Sequence, residues 1–113
     1  MAARKKKWTF DHCFAGESTN ADIHAGLVEP LVASAMLGYN CCVFAYGQTG
    51  SGKTHTIVGD SKGRDPGLLP RALGGVFDRI EAADSTEFHV KVSYCELCVK
   101  TGCCCCCCCC CCE

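Results

Sequence analysis

The stretch FAYGQTGSGKTHT, residues 44–56, decides how the rest of the chain is read. Within it Gly47, Gln48, Thr49, Gly50, Ser51, Gly52, Lys53 and Thr54 match the pattern G-x-x-x-x-G-K-[ST]. Each position has a physical task. Glycine permits positive φ and lets the backbone approach an anion closely. The successive N–H groups from Gln48 to Thr54 then form a concave nest that favours negative charge. The Lys53 ammonium reaches the β- and γ-phosphates of a bound nucleotide, and the Thr54 hydroxyl ligates Mg²⁺. The competing explanation is a flexible Gly/Ser turn with an accidental lysine. The flanks argue against it, because the motif works between a buried strand and a helix, and both are predicted here.

Upstream, CCVFAYG (41–47) is a short, wholly apolar run with a β-branched residue and aromatics. That composition suits a strand buried on both faces, as in parallel sheets. Downstream, KTHTIV (53–58) opens a helix, and VGDSKGRDPGL (58–68) is polar and rich in Gly and Pro, which predicts a loop.

Further out, TNADIHAGLVEPLVASAML (19–37) reads as an amphipathic helix. Ile23, Leu27, Leu31 and Ala35 recur on one face, with Val28, Val32 and Met36 beside them. Ser18, Thr19 or Asn20 can cap its start. Pro30 is expected to kink it, since proline removes a helical donor and clashes with the preceding turn. Gly38 suits a left-handed C-cap.

LLPRALGGVFDRIEAA (68–83) predicts another helix, with Leu69, Leu73, Val76, Phe77 and Ile80 on its apolar face and Gly74 and Gly75 weakening it. EFHVKVSYCEL (87–97) alternates: Phe88, Val90, Val92 and Tyr94 point one way, His89, Lys91, Ser93 and Cys95 the other, which is a strand pattern. Strand, helix, loop, helix, strand is an α/β order.

Composition narrows the class without naming a partner. The 113 residues suit one small domain, and 11 basic against 12 acidic side chains leave almost no net charge. Arg4, Lys5, Lys6 and Lys7 form the one basic cluster, read as a solvated terminus and not as a nucleic-acid surface. Trp8, Thr9, Phe10 and Asp11 follow it, so the start is no secretory signal. The uncharged stretch between Glu29 and Lys53 is long enough to cross a bilayer, but Pro30, the Gly38-Tyr39-Asn40 turn and the Gly/Ser loop break it, so no membrane span is expected.

Fifteen cysteines would suggest disulfides, but ten of them, Cys103 to Cys112, form one low-complexity run. The rest, Cys13, Cys41, Cys42, Cys95 and Cys98, read as reduced thiols of an intracellular protein. Cys95-Glu96-Leu97-Cys98 is a lone C-x-x-C without a second pair and predicts no zinc site. Asp60, Asp65 and Asp78 lie in no catalytic pattern and read as ordinary loop and helix residues.

FAYGQTGSGKTHT resembles the ATP-binding loop of the kinesin motor domain, and the resemblance extends both ways. FDHCFAGES, VEPLVASAMLGYNCCVFAYG, PGLLPRAL and VSYCEL are each similar to consecutive segments of that family, covering residues 8–97. The resemblance implies a partial P-loop NTPase fold with an incomplete central sheet. It divides the chain into a basic lead (1–7), part of a motor domain (8–97) and a cysteine tail (98–113). It implies ATP with Mg²⁺ as cofactors at Gly47 to Thr54, and His55 packed against the adenine. It also implies microtubules as partner, with neither nucleic acid nor membrane, and a cytoplasmic, cytoskeletal location.

Other family segments have no counterpart in these 113 residues: the Arg-x-Arg-Pro strand, the Ser- and Arg-rich switch I and the Asp-Leu-Ala-Gly switch II. Hydrolysis by this chain alone is therefore not expected, and a marginal or aggregation-prone fold is. Three readings follow: a microtubule motor that hydrolyses ATP, a non-motor nucleotide-binding module, or a non-functional truncated fragment.

Overall fold

The computed structural model describes residues 6–60 and 62–95. The chain falls into two compact units, Met1–Ala83 and Asp84–Glu113. All the helices among the described residues belong to the first.

Helix α1 (Asn20–Ile23) begins with a capping box. The Asp22 N–H donates to Thr19 Oγ1 at 3.3 Å, and the Thr19 N–H donates to Asp22 Oδ2 at 2.8 Å. The Thr19 N–H bond first, and then the Thr19 hydroxyl donating to Asp22 Oδ2 at 2.7 Å, hold the Asp22 carboxyl below its ordinary value. A π-helical turn (His24–Val28) joins α1 to α2 (Glu29–Met36). The disruption expected at Pro30 takes the form of a wider turn just before it. Proline cannot donate, and its ring presses on the turn before it; a π turn directly upstream makes room for both. The Glu29 N–H accordingly reaches back to the His24 carbonyl.

The end of α2 follows the sequence closely. Gly38 has φ +95°, and its N–H bonds the Ala35 carbonyl at 2.9 Å while the Tyr39 N–H bonds the Ser34 carbonyl at 3.2 Å. That pair of bonds is a Schellman motif, which stops the helix and turns the chain.

Helix α3 (Lys53–Ile57) follows the glycine loop, and α4 (Leu68–Glu81) follows residues 58–67. The core is small. Val28, Val32 and Leu68 are buried, with Ile23, Leu27, Ile57, Ala72 and Val76 packed around them. On the first helix the flanking Val28 and Val32 are buried, Ile23 and Leu27 of the predicted stripe pack beside them, and Ala35 is exposed. The face of α4 differs: Leu68, Ala72 and Val76 meet the core, whereas Leu69, Leu73 and Phe77 are exposed. Periodicity alone could not choose between two apolar stripes on one helix.

Gly75 lets α4 come close to α2. A Cβ there would lie 3.7 Å from Val32 Cγ1 and 3.2 Å from Arg79 Nη1. Beside it Arg79 bridges the helices, its Nη2 bonded to Glu29 Oε1 and its Nη1 donating to the Gly75 carbonyl at 2.8 Å. The Arg79 hydrogen bond is the main cause of a lowered Glu29 pKa. A carboxyl with a lowered folded-state pKa stabilises above its unfolded value and loses that contribution as the pH falls below it. Glu29→Gln should therefore lose this modest stabilisation at neutral pH and flatten part of the acid-denaturation curve below pH 4.5, where the two proteins converge. Urea titrations at several pH values read this directly; an unchanged acid limb would remove the pair from the account.

The two predicted strands are not seen as strands in this structure, and the incomplete sheet is not confirmed. Residues 41–46 and 88–95 carry no helix and no strand, and among the described residues the only β pairing is an isolated bridge between Gly59 and Pro66. Phe44 and Tyr46 are 82% and 95% exposed, so the run expected to be buried on both faces is not. Residues 96–97, the end of the second strand expectation, lie outside the described residues, as do Cys98 and the cysteine run. An apolar run can mark a strand, but its ladder hydrogen bonds come from neighbouring strands elsewhere in a sheet.

Candidate functional site

The glycine-rich stretch forms a tight loop directly before α3. Gly50 and Gly52 have φ of +80° and +91°, the left-handed region that glycine enters without strain. At Gly47 the reason for glycine is contact: a Cβ there would lie 2.5 Å from Ser51 Oγ. Among the described residues, the Ser51 N–H bonds the Gln48 carbonyl at 3.2 Å. The N–H groups of Gly50, Gly52, Lys53 and Thr54 have no backbone partner there. They remain free to meet an anion.

Lys53 lies across this loop. Its Nζ donates to the carbonyls of Gly47, at 2.8 Å, and Gln48, at 2.7 Å. Among the described residues no carboxylate pairs with it, so its charge stays at the loop. Thr54 and His55, the next two residues of α3, are exposed. The donor set therefore fits a polyphosphate: several backbone N–H groups, one ammonium and one exposed hydroxyl. Among the described residues no group of three or more His, Cys, Asp or Glu side chains stands ready for a metal ion. Thr54 is the one candidate that the sequence pattern offers.

Behind the loop runs an apolar trough of about 960 Å³, lined by Leu27, Leu31, Val43 and Phe44 and reaching Gly47 and Lys53. Most of its lining is apolar, but Asp11, Ser51, Lys53 and Thr56 also border it, so the trough runs up to the phosphate loop.

A second feature was not legible in the sequence. Asn20 is the buried polar residue of the described chain, at 4% exposure. Its Nδ2 donates to the His55 carbonyl at 3.2 Å and to Asp65 Oδ2 at 3.1 Å. Asp65 Oδ2 also stands 3.8 Å from His55 Nε2, and Asp65 Oδ1 stands 3.6 Å from Arg71 Nη2. Asp60 and Asp65, read as plain loop residues, are indeed structural. Asp60 accepts from the Asp65 N–H at 3.1 Å and from Arg64, and the first of these is the main cause of its lowered pKa. Asp78 lies on α4 and takes no part.

The 58–67 loop is clasped at its base. The Gly67 N–H bonds the Val58 carbonyl at 3.2 Å, and the Asp60 N–H bonds the Asp65 carbonyl at 3.1 Å. Gly59 has φ +102°, and a Cβ on it would lie 2.5 Å from the Asp65 carbonyl oxygen.

These residues have counterparts in known proteins. The model of the kinesin motor domain matches residues 1–101. The kinesin-like protein Klp61F of Drosophila melanogaster is 44% identical, over 81% of this chain and 9% of its own length. The kinesin-like protein KIF27 of Homo sapiens is also 44% identical, over 86% of this chain and 7% of its own. A solved structure of KIF14 with ADP, in complex with a microtubule, superposes with a TM-score of 0.57 at 40% identity, over 71% of this chain and 22% of that one. The chain thus spans about a tenth of the length of the curated relatives it matches. The likeness to that motor structure supports a P-loop NTPase-like fold for the part described. The glycine loop, the helices on either side of it and the PGLLPRAL segment all lie within the matched residues, and the chain belongs to the kinesin motor domain family.

Proposed function

We propose that this chain is the nucleotide-binding part of a kinesin motor, which hydrolyses ATP and moves along microtubules. Gly47, Gln48, Thr49, Gly50, Ser51, Gly52 and Lys53 hold the phosphates, Thr54 ligates Mg²⁺, and His55 lies beside the base. The single observation that carries the reading is the loop itself. Its left-handed glycines leave N–H groups that have no backbone partner among the described residues, and an ammonium lies across them with no described carboxylate paired to it. Bound Mg²⁺ would neutralise part of the phosphate charge. The residues of this chain bind and orient.

Microtubule binding and a cytoskeletal, cytoplasmic location are proposed from the relatives, among them the KIF14 structure in complex with a microtubule. Among the described residues no helix is long and apolar enough to cross a membrane. The finer fold reading also belongs here: residues 41–46 form the strand before the loop when strands of a complete sheet flank them.

Isothermal titration of the full chain with Mg-ADP tests the binding claim. Lys53→Ala removes charge-assisted hydrogen bonds of about 1.5–3 kcal/mol, so affinity should fall roughly tenfold to a hundredfold. Equal affinity for both proteins would sink the assignment. The motor claim is tested by placing residues 1–101 into the corresponding segment of Klp61F. Microtubule-stimulated ATPase activity should survive the exchange and be lost again with Lys53→Ala.

A further inference from the structure

The buried Asn20 has no part in the phosphate loop, yet it touches the residue that follows it. Helix α3 is only one turn and a half long, and its last carbonyls lack helical partners. The Thr54 carbonyl is satisfied by the Val58 N–H at 2.8 Å. The His55 carbonyl is satisfied from outside, by Asn20 Nδ2 at 3.2 Å. The same amide holds Asp65 Oδ2 at 3.1 Å, and that oxygen stands 3.8 Å from the His55 imidazole. Asp65 is steadied on its other oxygen by Arg71, whose Nε is itself fixed to the Pro66 carbonyl at 2.9 Å. Both the backbone and the ring of His55 are therefore referred to one side chain, 35 residues earlier in the chain.

The contacts of the phosphate loop are separate. Its bonds run among Gly47, Gln48, Ser51 and Lys53, and none involves Asn20, Asp65 or Arg71. We propose that Asn20 and Asp65 are positioning residues for the base end of the nucleotide site: they set His55 and leave the phosphate grip unaffected. This rests on the nucleotide reading above. A buried amide that serves two acceptors on different segments fixes their relative position, and losing it leaves both acceptors unsatisfied.

The test compares a ligand that has a base with one that does not. Mg-ADP and Mg-pyrophosphate are titrated into the full chain, as wild type, Asn20→Ala and Asp65→Asn. Asp65→Asn keeps the shape of the side chain and removes its charge, so it guards against an Asn20→Ala protein that does not fold. For either variant the expected result is roughly fivefold weaker ADP binding with pyrophosphate affinity held within about twofold, as the loss of one net hydrogen bond implies. An equal fall for both ligands would make the network a general scaffold and overturn the proposal, and so would no change for either. Wild-type protein that binds neither ligand defeats the nucleotide reading and this proposal with it.

Discussion

Gly67→Ala should lower the stability of the folded unit by about 3 kcal/mol, the upper end of the usual cost of overpacking. A Cβ at Gly67 would stand 2.5 Å from the Ile57 carbonyl carbon and oxygen and 2.6 Å from the Gly59 nitrogen. These are backbone atoms, so no rotamer change relieves the contact. Relief requires the end of α3 to part from the start of α4, and Ile57 and Leu68 both belong to the core. The matched control is Gly74→Ala. A Cβ there meets nothing within 4 Å, and the position is helical. Alanine should stabilise it by about 0.5–1 kcal/mol through backbone entropy alone. Urea denaturation followed by the helical circular dichroism signal gives both values. If the two substitutions behave alike, the close approach at Gly67 is not real.

Leu68→Ala is expected to cost about 2–5 kcal/mol, as large-to-small changes in cores do. The position within that range follows from how few residues share the load. Among the described residues the buried hydrophobic side chains are only Val28, Val32 and Leu68, and Leu68 also borders an apolar cavity of about 270 Å³ with Val43, Ile57 and Ala72. Truncation enlarges a space that is already there and removes the contact of α4 with the π turn. Domain stabilities begin near 5 kcal/mol, so the variant should lose its cooperative transition or nearly so. Leu73→Ala is the comparison, since Leu73 is 39% exposed on the other stripe of α4. It should change the midpoint by much less. A larger loss at Leu73 than at Leu68 would mean that α4 turns its other face inward.

What the sequence disclosed, and what it did not, divides by the reach of the forces involved. The helix over 20–36 and its end at Gly38 were legible because periodicity, capping and glycine conformation act within a few residues. The glycine loop was legible for the same reason. The stripe of α4 was ambiguous, because Leu68 and Leu69 begin two stripes of nearly equal apolarity and only α2 decides between them. The strands are not confirmed for another reason. An apolar run states that a segment can be buried, whereas a ladder depends on partners that the run does not encode. Asn20 was visible only as a possible helix cap. Its partners lie 35 and 45 residues away, and no local pattern announces such a bond.

The clasp between Val58–Gly59 and Pro66–Gly67 has a consequence for how this protein could be altered. Because the base of the loop is tied by its own backbone, the helices on either side do not sense how long the intervening chain is. Doubling the length of that chain would add only about 0.6 kcal/mol of closure entropy. The tip near Gly63 is thus a natural socket where a peptide tag or a fluorescent reporter can be inserted without redrawing the framework around it.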